Sequence, residues 1–309
     1  MITVLRPLST SELLDRTFHL YRNHFVMFAT ITAIPQIPVL ALRFADSALW
    51  LRSLIATQGL RALLFVAVSF LGLEVAHAAT AIAVSRLHLG GSTSIRSAYS
   101  AAKGSWLRVI WIVCVTFVVP MAVSVVLGIV AVGLSAGILG AIGMFGANDA
   151  STVWFRIAVI LLVFLAAPLL ALRWLLAWSL VVPVTVLEGG GLRATMRRSR
   201  TLTAGRRSRI FAIYLLIFLL TYAVQILFQT PYYILAGVGA FSRHINHGSL
   251  TVLVSAIGSF LSTSFVGPLL EIAFTLVYYD ERIRKEGFDL QLMMSTLQPA
   301  APVATVSAS

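Results

Sequence analysis

The sequence predicts an all-α, polytopic membrane protein with six transmembrane helices. They form three weakly repeated units, each an interfacial helix followed by a membrane hairpin. Three observations carry that prediction. The chain is 59% hydrophobic and only 11% charged, whereas a soluble domain carries about 25% charged residues. Several apolar runs exceed the roughly 20 residues that cross a bilayer. Three arginine-bearing helix starts, at Leu8 to Arg16, Thr93 to Tyr99 and Leu192 to Arg198, each stand ahead of a long apolar stretch.

The first element is an amphipathic helix over 9–23. Ser9 and Glu12 have capping-box spacing, in which each side chain satisfies the other's backbone N–H. Leu13, Leu14, Phe18 and Tyr21 recur at helical spacing, and Arg16 and Arg22 stay on the wetter side. Such a helix lies in the membrane interface. The predicted spans follow at 25–42, 61–86, 108–135, 154–185, 210–238 and 250–278. A straight helix over 108–147 would be about 60 Å long, so it must tilt, project or break. Pro120 and the series Gly133, Gly137, Gly140, Gly143, Gly146 are the candidate break points, and Gly133 with Gly137 also fits close helix contact. A flexible outer end is the alternative. Residues 43–60 read as a second kind of interfacial helix, with Trp50 at headgroup level. The chain thus divides into one six-helix membrane domain over 1–295, with cytoplasmic interfacial helices, and a disordered tail over 296–309.

Orientation follows from basic residues in the connections. Arg6, Arg16 and Arg22, then Arg86, Arg96, Lys103 and Arg108, then the arginines from Arg193 to Arg209, then Arg282, Arg284 and Lys285 all fall on one side. The other side holds only Arg43, Arg52, Arg61, Arg156 and Arg243. The excess places both termini in the cytoplasm of a bacterial cell, with the domain in the cytoplasmic (inner) membrane. The net charge of +12 is concentrated in these connections. Its expected partner is anionic phospholipid rather than nucleic acid, because no aromatic platform accompanies the charges. The single cysteine, Cys114, lies in an apolar run and excludes an intrachain disulfide.

Three stretches carry a family resemblance. They are Arg6-Pro-Leu-Ser-Thr-Ser-Glu-Leu-Leu-Asp-Arg through Arg22, Val186-Leu-Glu-Gly through the arginine series to Ile210, and Tyr278-Tyr-Asp-Glu-Arg-Ile-Arg-Lys-Glu-Gly-Phe-Asp-Leu. The chain resembles the membrane domain found with some glycerophosphoryl diester phosphodiesterases and as a stand-alone bacterial protein. The resemblance implies a membrane architecture and no reaction. The phosphodiesterase chemistry belongs to a separate barrel domain, whose metal-binding His, Glu and Asp set does not occur here.

Four ionisable residues fall inside the predicted spans: Glu74, His77, Arg173 and Glu271. A charge at the bilayer centre costs about 2.5–3.5 kcal/mol on insertion scales, so such groups face a bundle interior and find partners. The expected arrangement pairs Arg173 with Glu74, Glu271 or both, either to fix packing or to form a solute or proton site. Arg193, Arg197, Arg198, Arg200, Arg206, Arg207 and Arg209 form the anionic-lipid surface, by simple anchoring or by headgroup recognition. A C-terminal latch comprises Tyr279, Asp280, Arg282, Arg284, Glu286, Gly287, Phe288 and Asp289. Glu281 with Lys285 and Arg282 with Glu286 have i,i+4 spacing, Gly287 ends the helix, and Phe288, Leu290 and Met293 dock under the bundle. No catalytic set, metal site or cofactor motif stands out, and His244 with His247 reads as a pair of loop residues. The functional expectation is a non-enzymatic, lipid-associated or partner-organising membrane component, with a membrane-protein partner or a second copy as further associates. The alternative is a small-solute or lipid transporter that uses Glu74, Arg173 and Glu271.

Overall fold

The computed structural model describes residues 6–47, 57–119, 172–241 and 248–297, with isolated positions between these blocks. Ten α-helices have both ends within the described residues, and no strand occurs among those residues. They are α1 (Thr10–Asn23), α2 (Phe25–Ser47), α3 (Gln58–His88), α4 (Ile95–Ala102), α5 (Trp106–Val113), α6 (Val181–Glu188), α7 (Leu192–Thr203), α8 (Arg207–Phe241), α9 (Gly248–Glu286) and α10 (Phe288–Leu297). A π-helical turn, Cys114–Val118, continues α5.

Four of these helices are long and apolar enough to cross a membrane: Phe25–Ser47, Gln58–His88, Arg207–Gly237 and Leu250–Glu286. A fifth arises if α4 and the helix over Trp106–Val118 count as one span across their 68° bend. The sequence places six. The expected spans at 108–135 and 154–185 are only partly covered by the described residues, and Pro120, Gly140, Gly143, Gly146, Trp50 and the tail beyond Leu297 lie outside them. The described end of the 154–185 segment is not one continuous helix. A helical stretch over 172–177 stops at a turn over 178–180, and α6 then begins. Pro183 explains the restart. It has no N–H to donate to the Ser179 carbonyl, but its position in the first turn of α6 needs no such bond. Gly133 and Gly137 lie in helix with open space where a Cβ would stand, so close helix contact is not made there among the described residues.

α9 is the centre of the bundle and packs against α2, α8, α3 and α1. Its fully buried Ile272, Leu276 and Tyr278 join Phe28 and Ile31 of α2 and Ala78, Ala79 and Ala83 of α3 in one core. The outward surface remains apolar. Leu215, Leu216, Leu219 and Leu227 of α8 are exposed, an arrangement that favours hydrocarbon over water around this helix.

Two glycines let backbones approach closely. A Cβ at Gly72 of α3 would stand 2.6 Å from the Pro35 carbonyl oxygen, and one at Gly258 of α9 would stand 2.5 Å from that of Phe228. Polar side chains tie α8 to α9 beside the second crossing. Gln229 donates to Ser259 Oγ at 2.7 Å, and the Ser262 hydroxyl donates to Gln225. Such bonds hold helices together where apolar burial discriminates little between protein and lipid.

Pro35 also frees a carbonyl. It cannot donate to Ile31, four residues earlier in α2. The Tyr99 hydroxyl of α4 donates to that Ile31 oxygen instead. Burial at this site pushes the Tyr99 phenol above its ordinary range.

Candidate functional site

Two groups of polar residues stand out, one at an end of the bundle and one inside it. The end group forms where the N-terminal segment, the α6–α7 turn and the last turns of α9 meet. α1 starts as its sequence predicts. Ser9 accepts from the Glu12 N–H at 3.2 Å, and Glu12 accepts from the Ser9 N–H at 2.8 Å. The Ser9 backbone bond, then Arg6, hold the Glu12 carboxyl down at about 2.

Asp280 is the hub of this end. It is nearly fully buried and accepts from the Leu8 N–H at 2.7 Å, from Arg284 Nε at 2.9 Å and from Arg209. Arg209 and Arg284 also donate to the Leu8 carbonyl. Adjacent Glu281 is fully buried, with Arg209, Arg206 and Lys285 at 3.5, 3.7 and 3.9 Å. Lys285 donates to the carbonyls of Thr201, Leu202 and Ala204 at 2.9, 2.6 and 2.8 Å. All three ammonium donors therefore close the C-terminus of α7, whose last carbonyls have no helical partner.

Arg198 bridges Glu188, at 2.9 Å from Nε, and Glu286, at 2.8 Å from Nη2. Hydrogen bonding to Glu286, then to Glu188, raises the Arg198 guanidinium above its usual value. Tyr278 donates to Glu188 at 2.9 Å, and Arg108 donates to the Gly189 carbonyl at 2.7 Å. Gly189 has φ +71° and ends α6 in the left-handed region that glycine tolerates.

The expected arginine surface is therefore split. Arg198, Arg206 and Arg209 are engaged with carboxylates of the protein itself. Arg207 is half-buried. Arg193, Arg197 and Arg200 are exposed, and their spacing places them on one face of α7. The opposite face buries Thr195, Ser199, Leu202 and Thr203. Sequence reading grouped these arginines because charge is visible there and carboxylate partners from α6 and α9 are not.

The C-terminal latch divides in the same way. Gly287 has φ +59° and ends α9. Phe288 packs against Tyr279, with ring centroids 5.8 Å apart, and lies under the Arg282 guanidinium at 4.2 Å. Tyr279 shares a 2.6 Å hydrogen bond with Ser85, and Arg282 pairs with Glu286 at 3.2 Å. Asp289 occupies the first turn of α10, where the helix dipole favours an acid. Leu290 does not dock and is exposed, and the Met293 side chain lies outside the described residues. α10 turns after Gly287, and among its described side chains Phe288 alone packs against the core.

The interior group comprises Glu74 and His77 of α3 and Glu271 of α9, which line one cavity of about 290 Å³. His77 Nδ1 lies 3.8 Å from Glu74 Oε1. Glu74 Oε2 is buried with no hydrogen-bond partner among the described residues. Thr275 donates to Glu271 Oε1 at 3.4 Å. Phe117, Trp178, Tyr214 and Phe274 supply aromatic walls. Arg173 does not join them. Leu172, Leu175, Leu176 and Ser179 face the cavity, and a residue one position after Leu172 points about 100° away on a helix. Arg173 is exposed, and the expected pairing with Glu74 or Glu271 is absent among the described residues.

Sequence reading also missed His88. It is buried, its ring lies 5.1 Å from that of Tyr279, and neither ring nitrogen has a hydrogen-bond partner among the described residues. Among the described residues, no three His, Cys, Asp or Glu side chains are placed to hold a metal ion. No family model, curated protein or solved structure matches this chain.

Proposed function

We propose that this chain is a non-enzymatic, multi-pass component of a bacterial cytoplasmic membrane that organises anionic phospholipid at its cytoplasmic face. The exposed row Arg193, Arg197 and Arg200 carries the reading. It stands on a short helix just ahead of the apolar helix α8. Each basic residue near an anionic leaflet contributes about 1 kcal/mol. On this reading six spans cross the membrane, the three interfacial-helix and hairpin units derive from one repeat, and both termini are cytoplasmic. The resemblance to the glycerophosphodiesterase-associated membrane domain belongs to the same proposal.

The test uses the full chain in neutral-lipid nanodiscs doped with fluorescent phosphatidylglycerol. Energy transfer from protein tryptophan reads lipid enrichment. Replacing Arg193, Arg197 and Arg200 together by Gln is expected to abolish the enrichment, as is raised salt. Unchanged enrichment in both arms sinks the proposal. Reporter fusions at Ser309 and within 43–60 test the orientation, and a periplasmic C-terminus overturns it.

The cavity at Glu74, His77 and Glu271 favours a second reading, a small-solute or lipid transporter. Arg173, exposed on its helix, is not part of that version. Counterflow in proteoliposomes tests it, with loss of flux in Glu74→Gln as the expected result. Flux that is unchanged in that variant counts against it.

A further inference from the structure

We propose that the interior cavity binds a small organic ammonium ion, held between the carboxylates of Glu74 and Glu271 and the surrounding aromatic rings. The inference concerns binding and does not depend on transport.

Charge is the first argument. The cavity wall carries two carboxylates and one imidazole, and no lysine or arginine among the described residues. Glu74 is 4% exposed and Glu271 is 3% exposed. Glu74 directs Oε2 to no donor among the described residues, although buried carboxylate oxygens are ordinarily satisfied. Glu271 receives only the long bond from Thr275 among the described residues. Two acids in an apolar interior, with one imidazole 3.8 Å from Glu74, lack a full positive counterpart among the described residues.

The shape of the wall selects the kind of cation. Phe117, Trp178, Tyr214 and Phe274 line the cavity beside the acids, with Leu172, Leu175, Leu176, Val182 and Leu270 around them. All four aromatic residues are partly exposed and line the cavity. Tyr214 and Phe274 hold nearly parallel rings, 4° apart in plane and 6.4 Å between centroids. Aromatic faces attract cations through the ring quadrupole, and aromatic cages are a general solution for substituted ammonium groups. A strongly hydrated metal ion prefers a shell of oxygen ligands, which this apolar wall does not provide. The volume, about 290 Å³, lies at the small end of ligand pockets. The occupant is accordingly a cation with a few carbon atoms, either free or as a lipid headgroup.

The test is calorimetry on the whole chain in a neutral maltoside detergent. Choline is the probe. Its uncharged carbon isostere, with a tert-butyl group in place of trimethylammonium, is the control. Choline is expected to bind and the isostere is not. The Glu74→Gln, Glu271→Gln double variant keeps side-chain volume, removes both acidic groups and is expected to weaken binding at least roughly tenfold. Trp178→Leu retains the acids and is expected to weaken it by roughly two- to thirtyfold. Equal binding of the isostere, or wild-type affinity in the double variant, overturns the proposal. If the double variant does not fold, unchanged affinity in Trp178→Leu overturns it. Competition by short-chain phosphatidylcholine assigns the site to a lipid headgroup, and binding without competition assigns it to a free amine. Both results support an ammonium site. Binding without counterflow retains this inference and removes only the transport reading.

Discussion

Asp280 and the backbone of Leu8 are 272 positions apart in the chain and joined by a 2.7 Å hydrogen bond. The contact has both polarities. The carboxylate takes the Leu8 N–H, while Arg209 and Arg284, the cations that neutralise Asp280, take the Leu8 carbonyl. One residue of the N-terminal segment is thereby held by two long helices. Replacing Asp280 with Asn keeps its size, removes the anion of Arg284 and leaves Arg209 with Glu281 alone, 3.5 Å away. Breaking such a buried pair typically costs about 3–5 kcal/mol. The apparent melting temperature in detergent should fall sharply, and a wild-type melt would show that the clamp contributes nothing.

Lys103 and Lys285 are the only lysines among 23 basic residues, and the contacts of Lys285 explain why arginine does not serve there. A tetrahedral ammonium places three donors on three carbonyls at one helix end, whereas a planar guanidinium spreads its donors in a fork. Lys285→Arg is expected to destabilise the protein almost as much as Lys285→Met, by about 1–3 kcal/mol. Hydrogen exchange at Ala204 to Arg206 should accelerate in both variants. Full rescue by arginine would contradict the geometric argument.

At the Ile31 carbonyl, Tyr99→Phe leaves a buried acceptor unpaired, at a cost of about 1–3 kcal/mol. Pro35→Ala restores an N–H that Ile31 can receive within its own helix. The double variant should then be less destabilised than the sum of the two single changes. Strict additivity in thermal unfolding would disconnect Tyr99 from the proline.

Gly258 lies against the Phe228 backbone, and an alanine there forces α8 and α9 apart. Overpacking of this kind costs typically about 1–3 kcal/mol. Gly237→Ala is the control, because open space surrounds that position. It should be neutral or slightly stabilising. Equal behaviour of the two variants would remove the close crossing as a determinant of stability.

Glu12 supplies the pH dependence. Its folded value, about 2, lies below the ordinary 4.5. A depressed carboxyl contributes its stability fully above 4.5 and loses it as pH falls towards 2. Wild-type melting should therefore drop more between pH 5 and pH 3 than that of Glu12→Gln, which is already without the charge. Parallel acid profiles would show that the capping carboxylate is not linked to folding.

By itself, the sequence determined the all-α class, the apolar helices and the start of α1, because these depend on local composition and spacing. Ser9 and Glu12 are three residues apart, and their capping box is as legible in the chain as in the fold. Gly287 is legible for the same reason, since helix termination is local. Glu74 and His77 share a helix face for a reason equally open to sequence reading. The tertiary structure decided which distant partner each charge meets. Arg198, Arg206 and Arg209 read as a lipid surface until Glu188, Asp280, Glu281 and Glu286 are placed beside them. Arg173 read as the counterion of the interior acids, but helix phase directs it away, and a shift of one residue changes the facing by about 100°. The use of the Ile31 carbonyl by Tyr99 has no local signature. A proline shows which backbone bond is lost, and only the packed chain shows which group replaces it.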